Sequence, residues 1–320
     1  MYLLHTNNAI ILIMTKNLVL LSLLIAFVSC KHNPEDSISH YTKDYEAISL
    51  LGDTLRSAAP SEKLLAQYLE KKEAFAQEPH NIDNIIWYGR FTAYTGKYNE
   101  AIAIYTRGLE LFPEDARLYR HRGHRYISIR EFDKAILDFN KAIDLIRGTE
   151  NQIEPDGMPN ARNIPVSTLH GNIFYHLGLA HYLKQEWKMA LHGFRACIQT
   201  SSNPDNMVSA THWTYMIFRR MGNQKGANNY LRNISADMDI IENTSYHTAC
   251  LFYKGEIAHE EINLDAELGA ANTALKYALG NWELYSGNQE NAITIYEDIL
   301  SGDDWASFGY IAAESDMSLL

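Results

Sequence analysis

Basic residues are in short supply. Lysine and arginine number 28 against 39 aspartates and glutamates, a net charge of −11 spread along the chain. General nucleic-acid binding needs a broad basic surface, so that class is disfavoured and no nucleic-acid partner is expected. Cysteine is rarer. Cys30, Cys197 and Cys250 are the three that 320 residues contain, and no two stand at metal-ligand spacing. Missing too are a Gly-x-Ser-x-Gly elbow, a phosphate loop, a dinucleotide fingerprint and a His-Glu-x-x-His run. Among 13 histidines, His121 and His124 share a helix edge at a spacing of three, while His176 and His181, five apart, diverge. No carboxylate stands at ligand spacing beside either pair, so neither a metal nor another cofactor is expected. Catalysis would have to be assembled from residues distant in sequence. A metal-dependent hydrolase using the histidines is the contrasting reading to a non-catalytic chain.

One apolar run stands out near the amino terminus. Lys16 and Asn17 precede Leu18 to Val28, which leads into Ser29-Cys30. A short basic region, an apolar stretch and a small residue before the cut form a secretory signal. With a cysteine directly after the cut, the segment resembles the bacterial lipoprotein signal, although Phe27 stands where leucine is usual. The resemblance implies a lipid on Cys30 and Met14 as the start. An uncleaved membrane helix is the alternative, but the run is shorter than the roughly 20 residues a span needs. Either way the chain is tethered to a membrane with its bulk outside the cytoplasm. Lys31 after Cys30 favours the outer over the inner membrane. Residues 1–29 are thus read as a signal, 30–45 as a polar tether containing Pro34, and 46–320 as the folded domain.

That domain repeats itself every 34 residues. Gly89 recurs as Gly123, Ala101 as Ala135, Tyr105 as Phe139 and Gly108 as Ala142. Small residues and an aromatic at fixed marks mean stacked helical hairpins, each covering its neighbour's apolar face. Ile82 to Asp115 and Ala116 to about Thr149 are full units, and Gly171 to about Pro204 is a third, with Gly178, Ala190, Phe194 and Cys197 at the marks. Val208 to about Ile241 is a degenerate fourth. A fifth starts at Tyr246 with a short or broken second helix, and Ala274 to Leu300 forms the last clear pair. Ser61 to Gln77 reads as a half-repeat cap. Trp305 to about Asp316 reads as an amphipathic helix that seals the last face. The pattern resembles the tetratricopeptide repeat, departing from it at Trp87, which falls two residues after the usual tryptophan position. The resemblance implies an all-α solenoid of stacked antiparallel helix pairs. Cys197 takes a small buried position, which favours two separate thiols over a Cys197–Cys250 disulfide. Arg122 replaces an inward leucine; its stem is expected to pack while its head snorkels to water, the alternative being a buried head held by a carboxylate or several carbonyls.

In tetratricopeptide proteins the first helix of each hairpin lines a concave groove. Carried over by repeat position, this groove would show Arg90, Tyr94, Arg117, Arg120, His124, Tyr175, Leu179 and Tyr182. Arginines beside aromatics suit a carboxylate-bearing peptide, since a guanidinium grips a carboxylate through paired hydrogen bonds. The alternative pairs Arg117, Arg120 and Arg125 with acids of adjacent hairpins. Residues 147–169 form an insertion whose Pro155, Asp156-Gly157, Pro159 and Pro165 forbid helix. Its Ile, Met, Asn and Arg content predicts a loop folded against the solenoid, with Arg162 reaching the groove, rather than a mobile one. The sequence thus points to a non-catalytic adaptor of the cell envelope that binds a protein or peptide. An accessory lipoprotein of outer-membrane protein assembly and a carbohydrate-capture lipoprotein are the alternatives.

Overall fold

The computed structural model describes residues 43–264 and 269–320, all of them within the second of the chain's two compact units, Ser39–Leu320. The signal, Cys30 and most of the tether lie outside the described residues. Among the described residues, thirteen α-helices follow in order. A lone helix, α1 (Glu62–Gln77), precedes the hairpins α2 (Ile82–Tyr94) with α3 (Tyr98–Leu111), α4 (Ala116–Ser128) with α5 (Phe132–Ile146), and α6 (Leu169–Leu183) with α7 (Trp187–Thr200). Then come α8 (Pro204–Arg220) with the shorter α9 (Gln224–Leu231), α10 (Thr244–Lys254), α11 (Ala270–Ser286) with α12 (Gln289–Leu300), and α13 (Phe308–Met317). Between α10 and α11 the described residues include a 3₁₀ turn, His259–Glu261. Successive helices pack as neighbours from α1 to α9 in stacked antiparallel pairs, the α-solenoid expected from the repeat. Side-chain caps start many of them. Ser61, Asn81, Asp115, Thr168 and Asn203 each accept a hydrogen bond from a first-turn amide.

The repeat works by fitting a ring over a missing side chain. A Cβ added at Gly89 would lie 2.4 Å from the Tyr105 ring, and one at Gly123 would lie 2.9 Å from Phe139. Gly178 with Phe194 at 3.0 Å and Gly280 with Tyr296 at 2.5 Å repeat the arrangement. In each pair the ring follows its glycine by sixteen residues and is fully buried. At the equivalent places of the degenerate fourth unit stand Tyr215 and Leu231, both buried, so bulk has moved from the second helix to the first.

Three features differ from the expectations. Arg122 does not snorkel. It grips buried Asp138 through two hydrogen bonds, Nε to Oδ2 at 2.8 Å and Nη2 to Oδ1 at 2.7 Å. The segment after the tether is not helical: β1 (Ala47–Ile48) and β2 (Thr54–Leu55) form a small antiparallel hairpin, Ala47 opposite Leu55. The last helix packs on the last hairpin as expected, but it is buried all round rather than amphipathic. Trp305 lies in the turn before α13, and Gly309 to Asp316 are all buried. Besides packing on α11 and α12, α13 reaches back to α6. Cys197 and Cys250 are separate buried thiols.

Replacing Gly89 by alanine should lower stability by about 1–3 kcal/mol, because the buried Tyr105 ring has no room to yield. Thermal denaturation should fall by about 2–4 °C per kcal/mol. Adding Tyr105→Leu to Gly89→Ala should recover part of the loss, whereas Gly89→Ala near the wild-type midpoint would show that the glycine–ring contact does not hold the hairpin.

Candidate functional site

Five hairpin turns place a residue in the left-handed backbone region, where glycine is at ease. Gly96, Gly222 and Gly287 fit that need, but Arg130 (φ 66°) and Gln185 (φ 57°) do not. These two strained turns hold the C-terminal helix. Arg130 donates to Glu314 from Nη2 to Oε2 at 2.6 Å and from Nε to Oε1 at 3.1 Å, with both side chains almost wholly buried, 3 % and 0 % exposed. Gln185 donates to Asp316 at 3.1 Å, and Arg220, at the end of α8, grips the same carboxylate through two bonds of 2.9 Å. The Tyr277 and Tyr296 hydroxyls add bonds to Asp316 of 3.0 and 3.1 Å. Glu314 also accepts from the Leu50 amide of the N-terminal hairpin at 2.6 Å, and Trp305 donates to the Arg56 carbonyl at 2.8 Å. So α13 lies on the concave side of the middle repeats, fixed by two carboxylates, with the N-terminal β-hairpin bonded to it.

This placement sorts the residues read from sequence. Tyr182 is buried beneath α11, its hydroxyl 2.7 Å from that of Tyr277 and accepting from Asn281 at 2.9 Å. Leu179 is buried as well. Arg117 turns away to Asp115 and to Asp83 of the preceding hairpin, each 2.7 Å away. Arg162 pairs with Asp239 at 2.6 Å on the outer side of the loop. The structure brings together Arg90, Tyr94, Arg120, His124 and Tyr175. Phe308 of α13 packs its ring on His124 and Tyr175. Sequence reasoning missed Arg130, Arg220, Phe308, Glu314 and Asp316. The one signal was a non-glycine, Arg130, exactly one period after the turn glycine Gly96.

The inserted loop enters the same concavity. Glu154, 8 % exposed, pairs with Arg120 through Oε2 at 2.9 Å, and Asn172 donates to the same oxygen, while Oε1 is buried without a partner. Arg90 donates to the Pro155 carbonyl at 2.8 Å, and Gly157 sits so close to Tyr94 that a Cβ there would meet its hydroxyl at 2.5 Å. A bridge between Ile153 and Thr168 draws the loop's two ends together, and Asn160 donates to Glu242 at 2.6 Å. Behind the loop, Arg90, Arg120 and Arg125 face a nook of about 110 Å³ with His121 and His124. Arg120 Nε there is buried without a partner. Burial first, and the neighbouring arginines second, hold His121 and His124 well below the ordinary histidine value; burial does the same to His176. A larger cleft of about 390 Å³ adjoins the nook, sharing Arg120 and His124 and extending between α6, α8, α10 and α11. Among the described residues no group of three or more His, Cys, Asp or Glu is placed to hold a metal ion.

Fold and site together define a tetratricopeptide-like α-solenoid whose concave side carries its own C-terminal helix and an inserted loop. No family model and no curated protein matches the chain. Solved structures similar to it include MamA, at 16% identity and TM-score 0.41 over 59% of this chain and 90% of that one. YrrB, a tetratricopeptide protein with an unusual peptide-binding site, is 18% identical with TM-score 0.41 over 72% of this chain and 91% of its own. The Cut9–Hcn1 hetero-tetramer of APC/C gives 14% identity and TM-score 0.49 over 75% of this chain and 43% of that one. At these values the likeness carries no functional argument, and the fold rests on the chain's own geometry.

Two outcomes follow from the buried charges. Arg130→Gly supplies the residue the turn prefers, yet should destabilise by about 3–5 kcal/mol, because Glu314 is left buried and unpaired. A turn-only account expects a gain instead, and urea denaturation separates the two. The histidines held neutral predict acid sensitivity. Their folded pKa values lie below the unfolded value near 6.5, so their contribution is complete above that pH and is lost as the pH falls through the folded values. Stability should drop from about pH 6.5 downward by up to about 1.4 kcal/mol per pH unit per histidine. His176→Gln should flatten this slope, as read from urea midpoints across pH.

Proposed function

We propose that this protein is a non-catalytic binding scaffold of the bacterial cell envelope, tethered through lipid on Cys30, which captures a carboxylate-bearing peptide segment of another protein at Arg90 and Arg120. One observation carries the reading: the chain already presents that ligand chemistry to itself. Residues 154–157 dock as a bound peptide would, with a carboxylate on Arg120, a backbone carbonyl on Arg90 and a side-chain-free residue against Tyr94. Such pairing of guanidinium with carboxylate and main-chain carbonyl is a recurring way to hold an extended segment. The unused Nε of Arg120 and the flanking Arg125 leave the nook with more positive than negative charge. An incoming carboxylate therefore finds a donor waiting, and displaces Glu154 rather than meeting an empty groove. The path of α13 limits the length of peptide that fits, since the middle of the concave face is taken.

The envelope part of the reading is supported by the apolar run before Cys30 and by Lys31 after it. Cys30→Ser should move the protein from the membrane fraction to the soluble one. Recovery of the variant with membranes would point to an anchor helix instead.

Glu154→Ala tests the binding part. It leaves Arg120 buried and unpaired, so stability should fall by about 3–5 kcal/mol. A peptide carrying a free C-terminal carboxylate should then raise the melting temperature of this variant more than that of the wild type, by mass action on the folded state. The amidated peptide should do neither. Arg90→Glu with Arg120→Glu should abolish the effect. Equal shifts from the acid and the amide would overturn the reading.

A further inference from the structure

The larger cleft has a chemistry that the arginine nook lacks. At about 390 Å³ it falls in the range of small-molecule sites, about 300–1,000 Å³, and is too bounded for an extended peptide. Its only cation, Arg120, is already countered by Glu154, and its only carboxylate, Glu242, lies exposed at the rim. His124 and His176 also line it, and both are kept neutral by burial. What remains is a set of uncharged groups. Asn172, Asn206 and Asn243 bring amides, and Ser167, Ser209 and Ser245 bring hydroxyls. Ring edges of Tyr175, Tyr246 and Phe308 form the apolar wall. Amides and hydroxyls both donate and accept, which suits a ligand whose own groups do the same.

One side chain makes the case specific. Ser245, at the start of α10, is 5 % exposed, and its Oγ has no hydrogen-bond partner. A buried hydroxyl left unpaired is costly and calls for an explanation. Ser245 lines the cleft while its Oγ is closed to solvent, so the side chain must turn about its Cα–Cβ bond for a ligand hydroxyl to supply the missing bond. The Tyr175 hydroxyl, by contrast, is engaged: it accepts from Trp213 at 2.7 Å and lies 3.3 Å from the Tyr246 hydroxyl. These bonds fix two phenol rings as a rigid face for C–H groups.

We infer that the cleft between α6, α8, α10 and α11 is a binding site for a small, neutral, hydroxyl-rich ligand of one or two sugar rings. The inference is independent of the peptide reading, since it uses the uncharged end of the concavity. Saturation-transfer NMR on the full folded chain tests it with glucose, N-acetylglucosamine, maltose and cellobiose as probes, and galacturonate and glucosamine as charged controls. At least one neutral sugar should bind with a dissociation constant of about 1 mM or tighter, and at least tenfold better than either control. Ser245→Ala should weaken that sugar about fivefold, and Ser245→Leu, which fills the cleft, should remove its signal. Circular dichroism melting checks that both variants are folded, and the smaller Ala change keeps the test valid if the Leu variant is not. Arg90→Glu should leave sugar binding unchanged while weakening any peptide, so the two sites fail separately. Absence of binding by all four neutral sugars, preference for galacturonate, or full binding by folded Ser245→Ala would each overturn the assignment.

Discussion

Close approach of two helices over a glycine is the contact on which the remaining architecture depends. Each ring of the Gly89–Tyr105, Gly123–Phe139, Gly178–Phe194 and Gly280–Tyr296 pairs occupies volume that any side chain would claim. The pairing sets the distance between the two helices of a hairpin, and that distance sets how the next hairpin can stack. Curvature follows from stacking, and the concavity from curvature. A solenoid of this kind is stabilised chiefly by contacts between neighbours, so its middle is not closed by the repeat itself.

Closure comes from a second, unlike interaction. Glu314 and Asp316 are carboxylates carried into the concavity on α13, and each is met by a guanidinium from a different repeat. Removing an ion pair from water costs several kcal/mol unless the remaining lone pairs are satisfied. Asp316 meets that condition with bonds from Arg220, Gln185, Tyr277 and Tyr296. Glu314 meets it with Arg130 and the Leu50 amide. The arrangement fixes register more than it adds net stability, because apolar helices can slide and paired charges cannot. It joins the β1–β2 hairpin, the central turns and α13 into one unit, and it divides the concave face into a basic nook and an uncharged cleft.

The solenoid was legible in the sequence because its signal is local. Glycine and ring sit sixteen residues apart, and caps such as Asn81 and Asp115 stand directly before their helices. The position of α13 was not legible, since its charged partners, Arg130 and Arg220, lie more than 90 residues away and its own charged residues read as a solvent face. The groove was legible by half. Arg90, Tyr94, Arg120, His124 and Tyr175 do converge, because repeat position fixes which helix face they occupy. Tyr182 shares that face but is covered by α11. Arg117 begins its helix and is drawn to the capping Asp115. Arg162 was placed by loop composition alone, and its long side chain finds Asp239 instead. Ser245 gave no sequence signal, for its role comes from an unmade hydrogen bond. Both candidate surfaces lie where the repeat is interrupted, at the insertion and at the α10 unit.

Hydrogen exchange of the amides of α13, read by mass spectrometry, bears most directly on the central claim that the chain fills its own concavity. A ten-residue helix at a chain end is marginal by itself and exchanges rapidly unless tertiary contacts hold it. The account predicts that Gly309 to Asp316 exchange as slowly as the core of α6, through global unfolding only. Fast exchange of α13 beside a protected α6 would contradict it, leaving the groove open and the two carboxylates in water.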